Sequence, residues 1–287
     1  MKAEIIEALK NKRPLLGETS LKTYSSLLER LLRKFKIESL GDLDKHETEI
    51  VAHLKTIESP QTRKTTLSPL VILTDKESYK ELMTEATKII NDKYRGQKVD
   101  LEKLKDMKTM DELKEFSRQL EVKASKNKLE EDYQNLLLSY FFTGVIEGLP
   151  PRRLQDYTEM KIKNYNKETD NWTDGKQLVF NKYKTAKHTG QQKITIPKEI
   201  QVTVKRAIKL NDTEYLLHNN GSQYQTPVMS KKLKTIYGVS VDGLRAIFIS
   251  NMYKGLPALE KMDEVAEQMG HKPEIAINYY VKKDLQR

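Results

Sequence analysis

Leu21, Tyr24, Leu28, Leu31, Leu32 and Phe35 recur every three or four positions, with Arg and Lys between them. That period is the apolar stripe of an amphipathic helix and predicts one over this stretch. Gly41-Asp-Leu-Asp44 breaks the pattern and starts a second helix, through Ile50, Val51 and Leu54. Ser59-Pro60 predicts a third start, because proline's fixed φ and missing N–H suit a first helical turn. Two cations and three hydroxyls then crowd Gln61-Thr-Arg-Lys-Thr-Thr-Leu67. Asp75-Lys-Glu-Ser78 opens a fourth helix, through Leu82, Ala86, Ile89 and Ile90. The polar run Tyr94-Arg-Gly-Gln-Lys98 predicts a boundary, giving a helical domain over 1–97 and a second domain over 98–287.

The second domain opens with helical patterns at Met110 to Leu120 and Leu129 to Phe142. The end of the latter, Leu136-Leu-Leu-Ser-Tyr-Phe-Phe142, is apolar on nearly every face, which predicts burial all round. From about Lys161 to Pro197 the period shortens. Asn171-Trp-Thr-Asp-Gly175 reads as a turn, Gln177 to Tyr183 as a strand, Thr185 to Gln192 as a second turn, and Lys193-Ile-Thr-Ile196 as a strand. Helices are predicted from Glu199 to the end. No internal repeat or low-complexity tract is seen. The expected fold class is mainly α with a small antiparallel β-sheet.

Length and charge narrow the function. The 287 residues suffice for two ordinary domains. Charged residues reach 32% and the net charge is +10, an excess that favours a polyanionic partner, nucleic acid before acidic membrane. No apolar run approaches the 18 or so residues of a membrane span, and the amino end, Met-Lys-Ala-Glu-Ile-Ile-Glu, is not that of a secretory signal. The chain has no cysteine, which excludes disulfides, thiolate metal sites and cysteine catalysis and predicts an intracellular protein. His46 and His53 share a helical face without a third ligand, so no metal site is expected.

Four spaced pieces in the last 140 or so residues carry candidate chemistry: Gly148-Leu-Pro-Pro-Arg-Arg-Leu-Gln-Asp-Tyr157, Tyr183-Lys-Thr-Ala-Lys-His-Thr-Gly190, Asp242-Gly-Leu-Arg245 and Gly270-His-Lys-Pro-Glu-Ile-Ala-Ile-Asn-Tyr-Tyr280. Cutting a phosphodiester without metal or ATP needs a nucleophile, cations on the non-bridging oxygens, and an acid for the departing 5′ oxygen. A tyrosine can attack, given a positive field or an acceptor for its phenolic proton. Arginine's planar fork matches phosphate bidentately and stays charged, and a lysine on a hairpin can serve as general acid. A phosphotyrosyl ester conserves the bond energy, so rejoining needs no ATP, and no Gly-x-x-x-x-Gly-Lys-Ser/Thr phosphate loop is present.

In these pieces the chain resembles the tyrosine recombinase (phage-integrase) family over most of its length. The Pro-Pro-Arg-Arg wording is closer to members from eukaryotic viruses and mobile elements. The resemblance implies a helical core-binding domain and a catalytic domain that close on DNA as a C-shaped clamp. It implies Tyr280 as nucleophile, nine residues after His271, with Tyr279 as its neighbour and rival. Arg153 matches the first family arginine, after Thr143-Gly144 and an insertion, with Arg152 as alternative. Lys184 matches the family lysine, with Lys187 close by, and Arg245 matches the second arginine. Asp242 stands where the family has a histidine, which leaves the route of the nucleophile's proton open. His271 would hydrogen-bond the phosphate.

The implied activity is site-specific recombination or integration through a 3′-phosphotyrosyl intermediate, without cofactor. The implied partners are double-stranded DNA and three further copies of the chain. The candidate DNA contacts are Thr62, Arg63, Lys64 and Thr65 in front, and Lys182, Lys187 and His188 around the hairpin. Taken singly, each residue has a plainer explanation: solvated arginines and lysines, a helix-capping histidine, core tyrosines. The alternatives are a type IB topoisomerase-like enzyme and a catalytically impaired DNA-binding protein of the same fold.

Overall fold

The computed structural model describes residues 1–96, 107–254, 261, 262 and 268. Residues 1–98 belong to one compact unit and 99–256 to another. The described residues are mainly helical with small antiparallel sheets.

The first unit holds α1 (Lys2–Lys12), α2 (Glu18–Lys34), a 3-10 helix (Leu40–His46), α3 (Glu47–Lys55), α4 (Pro60–Thr74) and α5 (Glu77–Arg95). The apolar stripe of α2 buries Leu21, Leu28, Leu31 and Leu32 against Ile5 and Leu9 of α1 and Leu67 and Leu70 of α4. Each such side chain contributes about 1.5–3 kcal/mol when removed from water. The expected start of α4 is seen: Ser59 Oγ accepts from the Thr62 N–H at 3.3 Å, and Pro60 occupies the first turn. Gly41 to Asp44 forms most of the 3-10 helix rather than a simple break, with the Ser39 hydroxyl accepting from the Gly41 N–H.

The second unit begins with α6 (Met110–Asn127) and α7 (Glu130–Phe142). Thr109 and Glu112 form a reciprocal capping box at the start of α6. Helix α7 is the central element, with Leu136 to Phe142 all buried. The short α8 (Leu154–Thr158) follows, then β1 (Trp172–Thr173), β2 (Gln177–Phe180), α9 (Ala186–Thr189) and β3 (Gln192–Thr195). These three strands form one antiparallel sheet in the order β1-β2-β3, with Phe180 paired to Gln192 at its hairpin end. Then come α10 (Lys198–Leu210), β4 (His218–Asn219), β5 (Ser222–Gln223), α11 (Thr226–Tyr237) and α12 (Val241–Met252). Tyr157 is the aromatic pivot of this unit. It stacks on Phe141 at 4.9 Å and meets Phe142 and Phe180 edge-on, fixing α8 to both α7 and β2.

Three expectations are corrected. Trp172 and Thr173, read as part of a turn, form β1, and the actual turn is tightened by Asp174 Oδ1, which accepts from the Lys176 and Gln177 N–H groups. The region after Glu199 is not all helix: a two-residue-per-strand hairpin, β4–β5, intervenes, and strands so short display no period. Helix α6 runs past Leu120 to Asn127 through residues too polar to extend an apolar stripe.

Candidate active site

Backbone geometry sorts the two adjacent arginines. Arg153 is the N-cap of α8 with extended φ and ψ of −71° and 155°. In extended chain, consecutive side chains leave on opposite sides, so one arginine turns inward and its neighbour outward. Arg152 is the inward one, with its side chain 15% exposed. Its Nε donates to Asp156 Oδ2 at 2.8 Å and its Nη1 donates to Gln192 Oε1 at 2.8 Å. Its guanidinium lies over the Phe180 ring at 4.0 Å and near the Tyr183 ring at 5.2 Å. Arg153 is exposed and makes no side-chain hydrogen bond or ion pair among the described residues.

Asp156 lies at the centre. It is buried, its Oδ1 accepts no hydrogen bond, and burial pushes its carboxyl above the usual aspartate range. The charges of Arg152, then Arg153 and Arg245, oppose that rise. One buried carboxylate is thus within electrostatic reach of guanidinium groups from two segments, Arg152-Arg153 and Arg245, some ninety residues apart in sequence.

The hairpin is pinned by a residue that sequence reasoning missed. Asn171 is fully buried, and its amide donates to the backbone carbonyls of Asp156 at 3.1 Å and Lys182 at 2.8 Å. Its Oδ1 accepts from the Asn181 and Lys182 N–H groups at 2.8 and 2.7 Å. All four hydrogen-bonding positions of the amide are used. The signal available in sequence was a lone Asn before a tryptophan, which a turn explains equally well.

Beyond this anchor the hairpin is cationic and open. Lys184, Lys187 and His188 are exposed on the connection that carries α9. Lys182 is exposed too, but its ammonium donates to Asp170 at 2.9 Å. That bond, with the Asn166 N–H and Lys161, holds Asp170 down at about 2. The Tyr183 hydroxyl donates to the Gly190 carbonyl at 2.5 Å and closes the hairpin loop.

Arg245 sits on α12, capped by Ser240, whose hydroxyl accepts from the Gly243 N–H. Its Nη1 donates to Asp242 Oδ1 at 3.2 Å, one turn earlier; Asp242 is 82% exposed and Arg245 29%. The helix is seated by Gly144, at φ +74°, where an added Cβ would lie 2.2 Å from Phe248 Cδ2. Among the described residues no group of three or more His, Cys, Asp or Glu is placed to hold a metal ion, and no helix is long and apolar enough to cross a membrane.

In the front unit, Thr62, Arg63, Lys64 and Thr65 fall in the first turns of α4. Arg63 is turned into the fold: it donates to the Ile57 carbonyl at 2.9 and 3.2 Å and meets Glu85 at 3.4 Å. Lys64 and Thr65 are half-buried and Thr62 is exposed. Thr62 and Thr66 border a cleft of about 280 Å³ with Arg30, Lys34 and His53. Lys34 Nζ is 3.0 Å from His53 Nδ1, and burial together with that charge pushes the imidazole below its usual pKa. Arg30 and Lys34 were legible only as polar-face residues one turn apart on α2. His271, Tyr279 and Tyr280 lie outside the described residues.

No family model matches the chain, and no curated protein matches it. Among solved structures the chain is similar to "Crystal structure of XerA recombinase", with 13% sequence identity, a TM-score of 0.33, and coverage of 99% of this chain and 94% of that one.

Proposed function

We propose that this protein cuts and rejoins DNA strands as a site-specific recombinase or integrase through a 3′-phosphotyrosyl intermediate. The observation that carries the proposal is the exposed cationic hairpin of Lys184, Lys187 and His188, joined through Arg152 to the turn that presents the exposed Arg153. Arg153 and Arg245 have their positive ends free or weakly paired, which suits a phosphate whose charge grows in the transition state. Arg152 is already committed to protein partners, and this favours Arg153 over its neighbour as the clamp.

In this reading the Tyr280 phenolate oxygen attacks the phosphorus, forming a phosphotyrosyl ester and breaking the bond to the 5′ oxygen. Lys184 gives that oxygen a proton, His271 hydrogen-bonds the phosphate, and Asp242 takes the phenolic proton. Rejoining is the reverse, which is why neither metal nor nucleotide is required. DNA contacts come from the exposed Lys187 and His188, from Lys182, and from Thr62, Lys64 and Thr65 at the start of α4, while Arg63, held by the Ile57 carbonyl and Glu85, orders that start instead of reaching phosphate. Four copies on two paired sites would carry out exchange.

The test is trapping on a nicked substrate whose cleaved strand diffuses away. Wild type is expected to form a covalent adduct and Tyr280→Phe none; an adduct that survives the substitution moves the nucleophile to Tyr279. Neutralising roughly six phosphates predicts a slope of about −5 for log K against log salt. A slope near zero would remove the DNA-binding half of the proposal.

The ion pair between Asp242 and Arg245 favours a second reading, an impaired enzyme that binds DNA and cuts slowly, because a carboxylate there competes with phosphate for the guanidinium. Relaxation of supercoils without exchange between two duplexes would instead indicate the topoisomerase-like activity.

A further inference from the structure

We propose that Arg152 is a positioning residue: it locks the hairpin that carries Lys184 to the helix that carries Arg153, so that acid and clamp are held in one frame. The proposal rests on the strand-transfer reading above for its functional half, and on contacts alone for its structural half.

The contacts of Arg152 divide between three pieces of chain. Phe180 and Tyr183 belong to the incoming leg of the hairpin and Gln192 to the outgoing leg. Phe180 and Gln192 face each other across the last pair of the β2–β3 ladder. Asp156 belongs to α8, whose N-cap is Arg153. A single guanidinium thus grips both legs where the ladder ends and ties them to the turn that presents Arg153. The loop beyond is closed by Tyr183, which itself lies under the guanidinium and directly precedes Lys184.

The side-chain type fits this task. An arginine combines a flat face for stacking on rings with a fork of donors for Gln192 and Asp156, whereas an ammonium offers no flat face. The placement is otherwise hard to account for. A largely buried cation among aromatic rings is unfavourable unless its partners are fixed, and here the partners are the hairpin and α8. Asn171 pins the same two pieces through their backbones, donating to the carbonyls of Asp156 and Lys182. The side-chain lock and the backbone lock act on one joint.

The predicted consequence is specific to proton donation. Without Arg152 the hairpin swings, Lys184 loses its place at the departing 5′ oxygen, and binding of DNA persists. The experiment compares wild type, Arg152→Met and Lys184→Ala on two nicked substrates at saturating DNA. One has an ordinary 5′ oxygen at the scissile bond. The other has a bridging 5′ sulfur, a leaving group that departs as thiolate and needs no proton. On the oxygen substrate Arg152→Met is expected to slow adduct formation by at least about 30-fold, within the range of a general acid's contribution. DNA affinity should stay within about threefold, because Arg152 is largely buried and its Nε and Nη1 are already held by Asp156 and Gln192. On the sulfur substrate the loss should shrink to about threefold or less, as it should for Lys184→Ala. An equal loss on both substrates would assign Arg152 a general structural or clamping role and overturn the proposal.

Amide hydrogen exchange supplies the independent arm. In Arg152→Met, residues 181–191 should exchange on the order of tenfold faster while α7 is unchanged. Unchanged exchange there overturns the lock whether or not wild type forms an adduct. If wild type forms no adduct on either substrate, the strand-transfer reading fails and the exchange result alone decides the lock. Should Arg152→Met not fold, Gln192→Ala removes one hairpin contact at a half-buried edge and takes its place in both measurements.

Discussion

Gly144 joins the end of α7 to the helix that bears Arg245, and its replacement by alanine is the sharpest test of that joint. Two costs add. The backbone is left-handed at φ +74°, which costs a residue with a Cβ about 1–2 kcal/mol. The new Cβ would lie 2.2 Å from Phe248 Cδ2 and 2.9 Å from Cε2 and Cγ. Carbon atoms prefer roughly 3.5–4.0 Å, so the ring must retreat by more than about 1 Å. Overpacking of that kind costs about 1–3 kcal/mol. The expected loss is about 2–5 kcal/mol, with Tm lowered by about 4–20 °C for a unit of this size. The assay is urea unfolding followed by Trp172, the single tryptophan, which is buried in the second unit against Tyr165 and so reports on that unit. A double-mutant cycle separates the two costs. In a Phe248→Ala background the steric part vanishes and only the backbone part, about 1–2 kcal/mol, should remain. A Gly144→Ala loss below about 1 kcal/mol, or one equal in both backgrounds, would refute the proposed seating of α12.

Asn171→Ala strips four hydrogen bonds from a buried joint and leaves backbone groups of Asp156, Asn181 and Lys182 without that partner, so a loss of about 3 kcal/mol or more is expected in the same assay; less than about 1 kcal/mol would mean the backbone groups are satisfied otherwise. Asp242→Asn removes an exposed, weakly stabilising ion pair, so stability should move by no more than about 0.5 kcal/mol. If Arg245 contacts phosphate, the same variant should bind duplex DNA more tightly at low salt, and unchanged affinity in a titration would separate Asp242 from the DNA path. Asp170 is held down at about 2 by Lys182, the Asn166 N–H and Lys161. A depressed carboxyl stabilises the fold above its unfolded pKa of about 4 and loses that contribution as pH falls through its folded value. Asp170→Asn should therefore be less stable than wild type near neutral pH, with the gap closing between about pH 4 and pH 2. A gap constant with pH would rule out the charge as its source.

Local pattern alone determined much of this protein. The stripe from Leu21 to Phe35, the Ser59-Pro60 start and the apolar run Leu136 to Phe142 each declare a helix and its buried side, because burial and capping act within a few residues. The β2–β3 hairpin was legible from the change of period, and the cationic excess from composition. Tertiary structure decided what depends on approach between distant residues. Trp172-Thr173 becomes a strand only because β2 lies beside it. Arg152 and Arg153 are equivalent as letters, yet the extended backbone before α8 sends one into the rings of Phe180 and Tyr183 and the other to solvent. Arg245 comes within electrostatic reach of Asp156 only through the fold, across some ninety residues, a separation over which no sequence period operates. Asn171 was silent for the same reason: its four partner groups belong to two other segments of chain, at Asp156 and at Asn181-Lys182, and only the folded protein brings them within hydrogen-bonding distance.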